Sequence, residues 1–197
     1  MAETCKIEAL SEPLDSPLAL GAVHNEILMT CGEAIIGIGG FAFNRDTGEP
    51  SAFTMDSENH ALKARILLYS PELLEERIDN GKRSNRITLF EGTRAEVFQK
   101  FGQMAEAANF INYQNLPYVF ADIIQASQNS NSVFRTMVEA AGIKYGPELE
   151  GLFAPGDGRI LLPKDWESSY DINRETKLSY SSEFKSFIPK VFKKNII

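Results

Sequence analysis

Asn115–Ile143 reads NLPYVFADIIQASQNSNSVFRTMVEAAGI, and it changes character halfway. Leu116-Pro117-Tyr118 begins an extended aromatic patch, and Gln128-Asn129-Ser130-Asn131 is a polar loop. Beyond the loop, Val133, Phe134, Met137, Val138 and Ala141 recur at helical spacing, and Gly142 supplies a stop. Asn and Ser are the residue types that accept hydrogen bonds from the first free N–H groups of a helix. Ser130 therefore has a structural reading, as part of a cap. It also has a chemical one, as a nucleophile presented at a helix N-terminus. There the backbone N–H groups and the helix dipole favour a developing oxyanion. The hydroxyl becomes nucleophilic only with a base in hydrogen-bond reach. The helix cannot supply that base.

Upstream, Thr93-Arg94-Ala95-Glu96 has the spacing of a capping box. It opens the longest helix, with Val97, Phe98, Phe101, Met104 and Ala108 as the buried stripe. Arg86–Phe90 reads as a short strand and Ala61–Tyr69 as a longer one. Ser70-Pro71 starts a helix that runs through Leu73, Leu74 and Ile78 to Asn80-Gly81. Asn44–His60 is a loop with a D-T-G-E-P turn cluster. Before it, AVHNEILMT alternates Val23, Ile27 and Met29 against His24, Glu26 and Leu28, and Cys31-Gly32-Glu33 turns it into the returning strand AIIGIGGFAF. No helix signal follows Gly37, Gly39 and Gly40, so they fit close backbone approach or a bulge better than a phosphate loop.

These elements predict an α+β fold, a small antiparallel sheet flanked by helices. The expected organisation is an N-terminal segment over residues 1–20, extended or loosely ordered, and a core over 21–145. A C-terminal extension over 146–197 follows, polar with interleaved aromatics (Trp166, Tyr170, Tyr180, Phe184, Phe187, Phe192). The net charge of −7 argues against nucleic-acid binding, which needs dense Lys and Arg. Two cysteines, Cys5 and Cys31, allow one disulfide at most and fit a reducing compartment. No apolar run reaches the length of a membrane span, so the expected location is the cytoplasm, or outside the cell by export without an ordinary signal peptide. Scattered acids and only two histidines, His24 and His60, give no metal-ligand set, and no cofactor is expected.

Any histidine-dependent chemistry must use His24 or His60. A lone strand histidine is more often structural than catalytic, but His24 could serve Ser130 if its strand lies against the helix. The order of features matters here: a histidine opening a strand (Ala22-Val23-His24-Asn25-Glu26-Ile27-Leu28), then Leu116-Pro117-Tyr118, then Asn129-Ser130-Asn131-Ser132-Val133-Phe134 entering a helix. It resembles the circularly permuted papain-like superfamily, which includes lecithin retinol acyltransferase and relatives of the NlpC-type cell-wall peptidases. The resemblance implies Ser130 at the nucleophile position, His24 as general base, and Asn129 as the residue before the nucleophile. Tyr118 would line the oxyanion pocket, and Glu33 would orient the histidine. The family's nucleophile is cysteine, and a serine must give up its proton as it attacks. The implied function is hydrolysis or acyl transfer at an amide, ester or thioester of a small-molecule, lipid or peptide substrate. The alternative is an inactive papain-like scaffold acting as a protein-interaction module, through the C-terminal extension or the Asn44–His60 loop. A third reading leaves Ser130 as a cap and nothing more.

Overall fold

Alternation along the hairpin of residues 23–44 generates two neighbouring strands, and the rest of the sheet forms on their two outer edges. A computed structural model describes residues 4–14, 22–51, 54, 56–80, 85–120, 128–144, 146, 154 and 158–163. The elements are β1 (Thr4–Pro13), β2 (Val23–Cys31), β3 (Ala34–Asn44), β4 (Pro50–Ser51), β5 (His60–Tyr69), α1 (Pro71–Asn80), β6 (Asn85–Thr93), α2 (Arg94–Gln114) and α3 (Ser130–Ala140). Six strands form one sheet in the order β4-β3-β2-β1-β6, with β5 paired to the other edge of β3. All pairs are antiparallel, so the expected α+β class holds, with an open sheet and three helices among the described residues.

The N-terminal segment departs from its loose expectation. β1 is an interior strand, paired with β2 on one side and β6 on the other. Its acids made it read as polar, but each is compensated across the sheet. Glu8 pairs with Arg86 and, at 2.9 Å, with Lys6; Glu12 pairs with Arg77 at 2.5 Å. Between the acids, Ile7, Ala9 and Leu10 are wholly buried. Next to Lys6↔Thr30 in the β1–β2 register, Cys5 and Cys31 form a disulfide. The cysteine count allowed one disulfide at most, and the structure forms it.

The two faces of the sheet carry different helices. Leu10, Leu28 and Ile35 pack with Leu74 of α1, flanked by Tyr69 and Ile78. The opposite face bears Ile27, Ile36, Ile38 and Gly40 and receives α2 and α3, whose Phe101, Met104, Val133, Phe134 and Met137 are wholly buried. The capping box at Thr93 forms as expected, and Ser70 Oγ accepts from the Leu73 N–H at 3.1 Å at the start of α1. α2 ends at Asn115, a left-handed cap. Its last turn reaches the outer edge of β5, where the Asn112 side chain accepts from the Ala64 N–H at 2.7 Å and donates to the Ala64 carbonyl at 2.9 Å. Leu116 and Tyr118 continue along that edge by backbone bonds to Leu62 and His60.

The chain divides into two compact units, Met1–Leu161 and Leu162–Ile197. The first runs past the expected boundary at residue 145 because Ala154 and Leu161 are buried in it. The Leu161 N–H donates to Thr136 Oγ1 at 2.9 Å and its carbonyl accepts from Gln114 at 3.1 Å. Of the second unit only residues 162 and 163 are described, so the aromatics from Trp166 to Phe192 lie outside the described residues.

Gly40 fulfils the close-approach expectation: a Cβ there would lie 2.7 Å from the Ser130 Cα and 2.9 Å from the Val133 side chain. Backbone cannot yield cheaply, so Gly40→Ala should destabilise by about 2 kcal/mol, the usual scale of core overpacking. Gly102 of α2 has nothing within 4 Å of its would-be Cβ. Gly102→Ala should therefore stabilise by roughly 0.5–1 kcal/mol. Urea unfolding of the two variants beside the wild type checks both signs.

Candidate functional site

β2 and β3 separate beyond Glu26↔Gly39, and the N-terminus of α3 enters where they part. Asn131 does the joining. Its Oδ1 accepts from the Asn25 N–H at 2.9 Å and its Nδ2 donates to the Val23 carbonyl at 2.8 Å. A single amide thus takes the backbone positions that a continuing β3 would have filled. The helix start itself is held by Asn129. Its Oδ1 accepts from the N–H groups of Asn131 (2.9 Å) and Ser132 (3.4 Å), and its Nδ2 donates to the Phe120 carbonyl at 2.6 Å. Ser132 returns the favour by accepting from the Asn129 N–H at 3.2 Å, completing a capping box.

Ser130 and Tyr118 do come together. Val119 and Gln128 exchange backbone hydrogen bonds at 2.7 and 2.9 Å, which closes the loop between them. Gln128 Nε2 also donates to the Pro117 carbonyl at 2.7 Å. The Ser130 hydroxyl lies in reach of the Tyr118 phenol, and both residues are buried. Burial pushes the phenol up to about 12, an effect the Ser130 bond only partly offsets.

His24 is not part of this group. Strand alternation sends its side chain to the face shared with Glu12 and Glu26, under α1, whereas α3 lies over the face of Asn25 and Gly40. The His24 ring packs against Phe41, with centroids 5.8 Å apart. Its Nε2 is buried without a hydrogen-bond partner. Burial, helped by the positive charge of Arg77, lowers its pKa to about 4, so the ring is neutral near pH 7. Glu33 sits exposed in the β2–β3 turn, more than about 20 Å of strand from His24 at the usual rise per residue. It orients nothing at this end of the sheet.

Around His24 is a charge cluster that the sequence did not announce. Arg77 of α1 donates to both oxygens of Glu12, at 2.8 and 2.5 Å, and also donates to the Tyr69 hydroxyl. The Tyr69 hydroxyl donates to Glu26 Oε1 at 2.7 Å. Glu26 Oε2 lies 2.9 Å from Arg77 Nη1, an ion-pair contact without hydrogen-bond alignment. Burial raises the pKa of the Glu26 carboxyl, opposed by Arg77 and Tyr69. Burial works against the Arg77 charge, but Glu12 and Glu26 outweigh it and raise its pKa. The only early sign was Glu26 alternating with His24 on an otherwise apolar strand. On the α3 side, Ser11 Oγ donates to Asn25 Oδ1 at 2.6 Å, and Asn25 Nδ2 is buried without a partner.

Comparison with protein-family models, with curated proteins and with solved structures finds no match. What the arrangement can do must be read from its own chemistry. The N–H groups of Asn131 and Ser132 are committed to the Asn129 side chain, and that of Val133 to the Asn129 carbonyl. Three of the N–H groups that could face an oxyanion at this helix start are thus already satisfied inside the protein.

Asn131→Ala should cost about 2 kcal/mol, because it strands a buried N–H and a part-buried carbonyl of β2; denaturant unfolding measures it. For His24 the pH sign follows from its lowered pKa. The unfolded chain, titrating near 6.5, binds the proton first, so the folded state loses stability as pH falls from 6.5 towards 4. His24→Phe should remove up to roughly 3 kcal/mol of that loss, seen as a flatter melting temperature across the same window.

Proposed function

We propose that this chain acts by binding, as a protein-interaction module, and not as an acyl-transfer enzyme. The observation that carries the reading is the commitment of the α3 N-terminus: the N–H groups of Asn131 and Ser132 bond the Asn129 side chain, and Ser130 meets Tyr118 and not a histidine. A serine without a base beside it is a weak nucleophile, and His24 faces Arg77 across the sheet from α3. The likeness to papain-like proteins then describes the arrangement of a histidine strand and an Asn-Ser helix, without the chemistry.

Among the described residues, the surface that best suits such a role is not the Asn44–His60 loop, and most of the C-terminal extension lies outside the described residues. The Asn44–His60 loop is tied up locally, with Asn44 Oδ1 accepting from the N–H groups of Asp46 (2.9 Å) and Thr47 (3.0 Å) and Asp56 bonding Asn59. Among the described residues, the outer edge of β5 is covered only as far as Ala64. Past that point Ile66 and Leu68 are 37% and 48% exposed. An uncovered apolar strand edge is a ready template for pairing with another chain. The Cys5–Cys31 disulfide favours an oxidising setting for that encounter. Among the described residues no helix is long and apolar enough to cross a membrane.

The enzymatic alternative has one observation in its favour, the meeting of Ser130 with Tyr118. Ser130→Ala separates the two. Under the binding reading, wild type and variant hydrolyse p-nitrophenyl esters and peptide amides equally, at the background rate, and the variant loses about 1 kcal/mol of stability. Hydrolysis by the wild type that vanishes in both Ser130→Ala and His24→Ala would overturn it.

A further inference from the structure

The open part of the β5 edge has a pattern that fits one occupant. Leu62 and Ala64 direct their N–H groups outward, to Leu116 and Asn112. The β3–β5 register runs without a shift from His60 to Tyr69, so Ile66 and Leu68 direct theirs outward too. Their side chains lie on the face that α2 covers at Leu62 but leaves exposed further along. Before the open stretch the exposed charge on β5 is basic, Arg65; after it, α1 opens with the exposed acids Glu72, Glu75 and Glu76.

We infer that the partner at this edge is a second copy of the same chain, joined by antiparallel pairing of the two β5 strands about a two-fold axis at Leu67. The inference rests on the binding reading given above. An antiparallel pair centred there sets Ile66 opposite Leu68 of the second copy and Leu68 opposite Ile66, exchanging the outward N–H and carbonyl groups of both residues. The apolar row then continues across the junction. The same symmetry carries Arg65 of each copy towards Tyr69 and the acidic start of α1 of the other, so basic and acidic ends meet twice. An unrelated extended peptide would use the same backbone groups, but nothing requires it to match this charge order. Self-pairing satisfies the strand edge, the apolar row and the charge order together.

Sedimentation equilibrium of the full chain, paired with amide exchange, tests the inference. The expected result is a reversible dimer of twice the 21.9 kDa chain mass. The Ile66 and Leu68 amides should become slower to exchange as concentration rises. Leu68→Lys, which would set like charges near the axis, should weaken association by at least about tenfold while keeping the monomer's melting temperature. Arg65→Glu should weaken it as well. Tyr113→Lys, a change at a 70% exposed position on α2, should leave it intact. A wild type that stays monomeric at its highest soluble concentration would overturn the inference. So would a dimer that Leu68→Lys and Arg65→Glu both leave unchanged, or one whose Ile66 and Leu68 amides gain no protection. Those outcomes leave the binding reading standing, because that reading falls only if Ser130-dependent hydrolysis is found.

Discussion

The side-chain amide of Asn131 holds the helical layer to the sheet where the sheet stops pairing with itself. Two adjacent strands that part leave backbone donors and acceptors facing the interior, where an unmade hydrogen bond is costly. The Asn131 amide supplies one acceptor and one donor at the spacing of a strand, to Asn25 and Val23. Asn and Gln carry an acceptor oxygen and a donor nitrogen side by side on one planar amide. That demand fixes the depth of α3, and the depth in turn requires Gly40, whose missing Cβ makes room for the Ser130 backbone. With α3 set in this way, Asn129 caps it and Ser130 meets Tyr118.

Much of this was legible along the chain because it is local. The alternation of Val23, Ile27 and Met29 against His24, Glu26 and Leu28 appears in the structure, as do the Thr93–Glu96 capping box and the start of α1 at Ser70-Pro71. The Asn-Ser junction does cap α3, and Gly142, at φ +61°, ends it. What alternation cannot reveal is which side of the sheet each helix takes. The histidine's place relative to Ser130 turned on that one choice. α1 lies over the His24 face and α3 over the Asn25 face, so neighbouring residues on one strand serve different layers.

The interior place of Thr4–Pro13 in the sheet was hidden for a related reason. A segment with Glu3, Glu8 and Glu12 looks solvated when its partners are unknown. Arg77 and Arg86 lie 65 and 78 residues from the acids they meet, a separation that carries no pattern. Arg77 shows why the cluster holds together. One guanidinium serves Glu12, Glu26 and Tyr69, binding β1, β2, β5 and α1 at a single point. Breaking such a buried pair by removing one partner is costly, whereas a fully apolar replacement need not be. The cluster therefore argues for a specified packing of α1 on the sheet more than for raw stability.

The candidate site and the open strand edge are two consequences of one stretch of chain. Residues 112–118 leave α2, bind Ala64, Leu62 and His60 along β5, and deliver Tyr118 to Ser130. That run covers β5 only from His60 to Ala64, so among the described residues nothing pairs with the edge at Ile66 and Leu68. A longer cover would have protected the edge and carried Tyr118 away from the helix start. Backbone bonds of this kind form as a contiguous set, so a change in how the edge is occupied would be felt at Tyr118 through Leu116 and Pro117. In this fold Ser130 and Tyr118 meet at one end of a segment whose other end, at Asn112, covers part of the β5 edge.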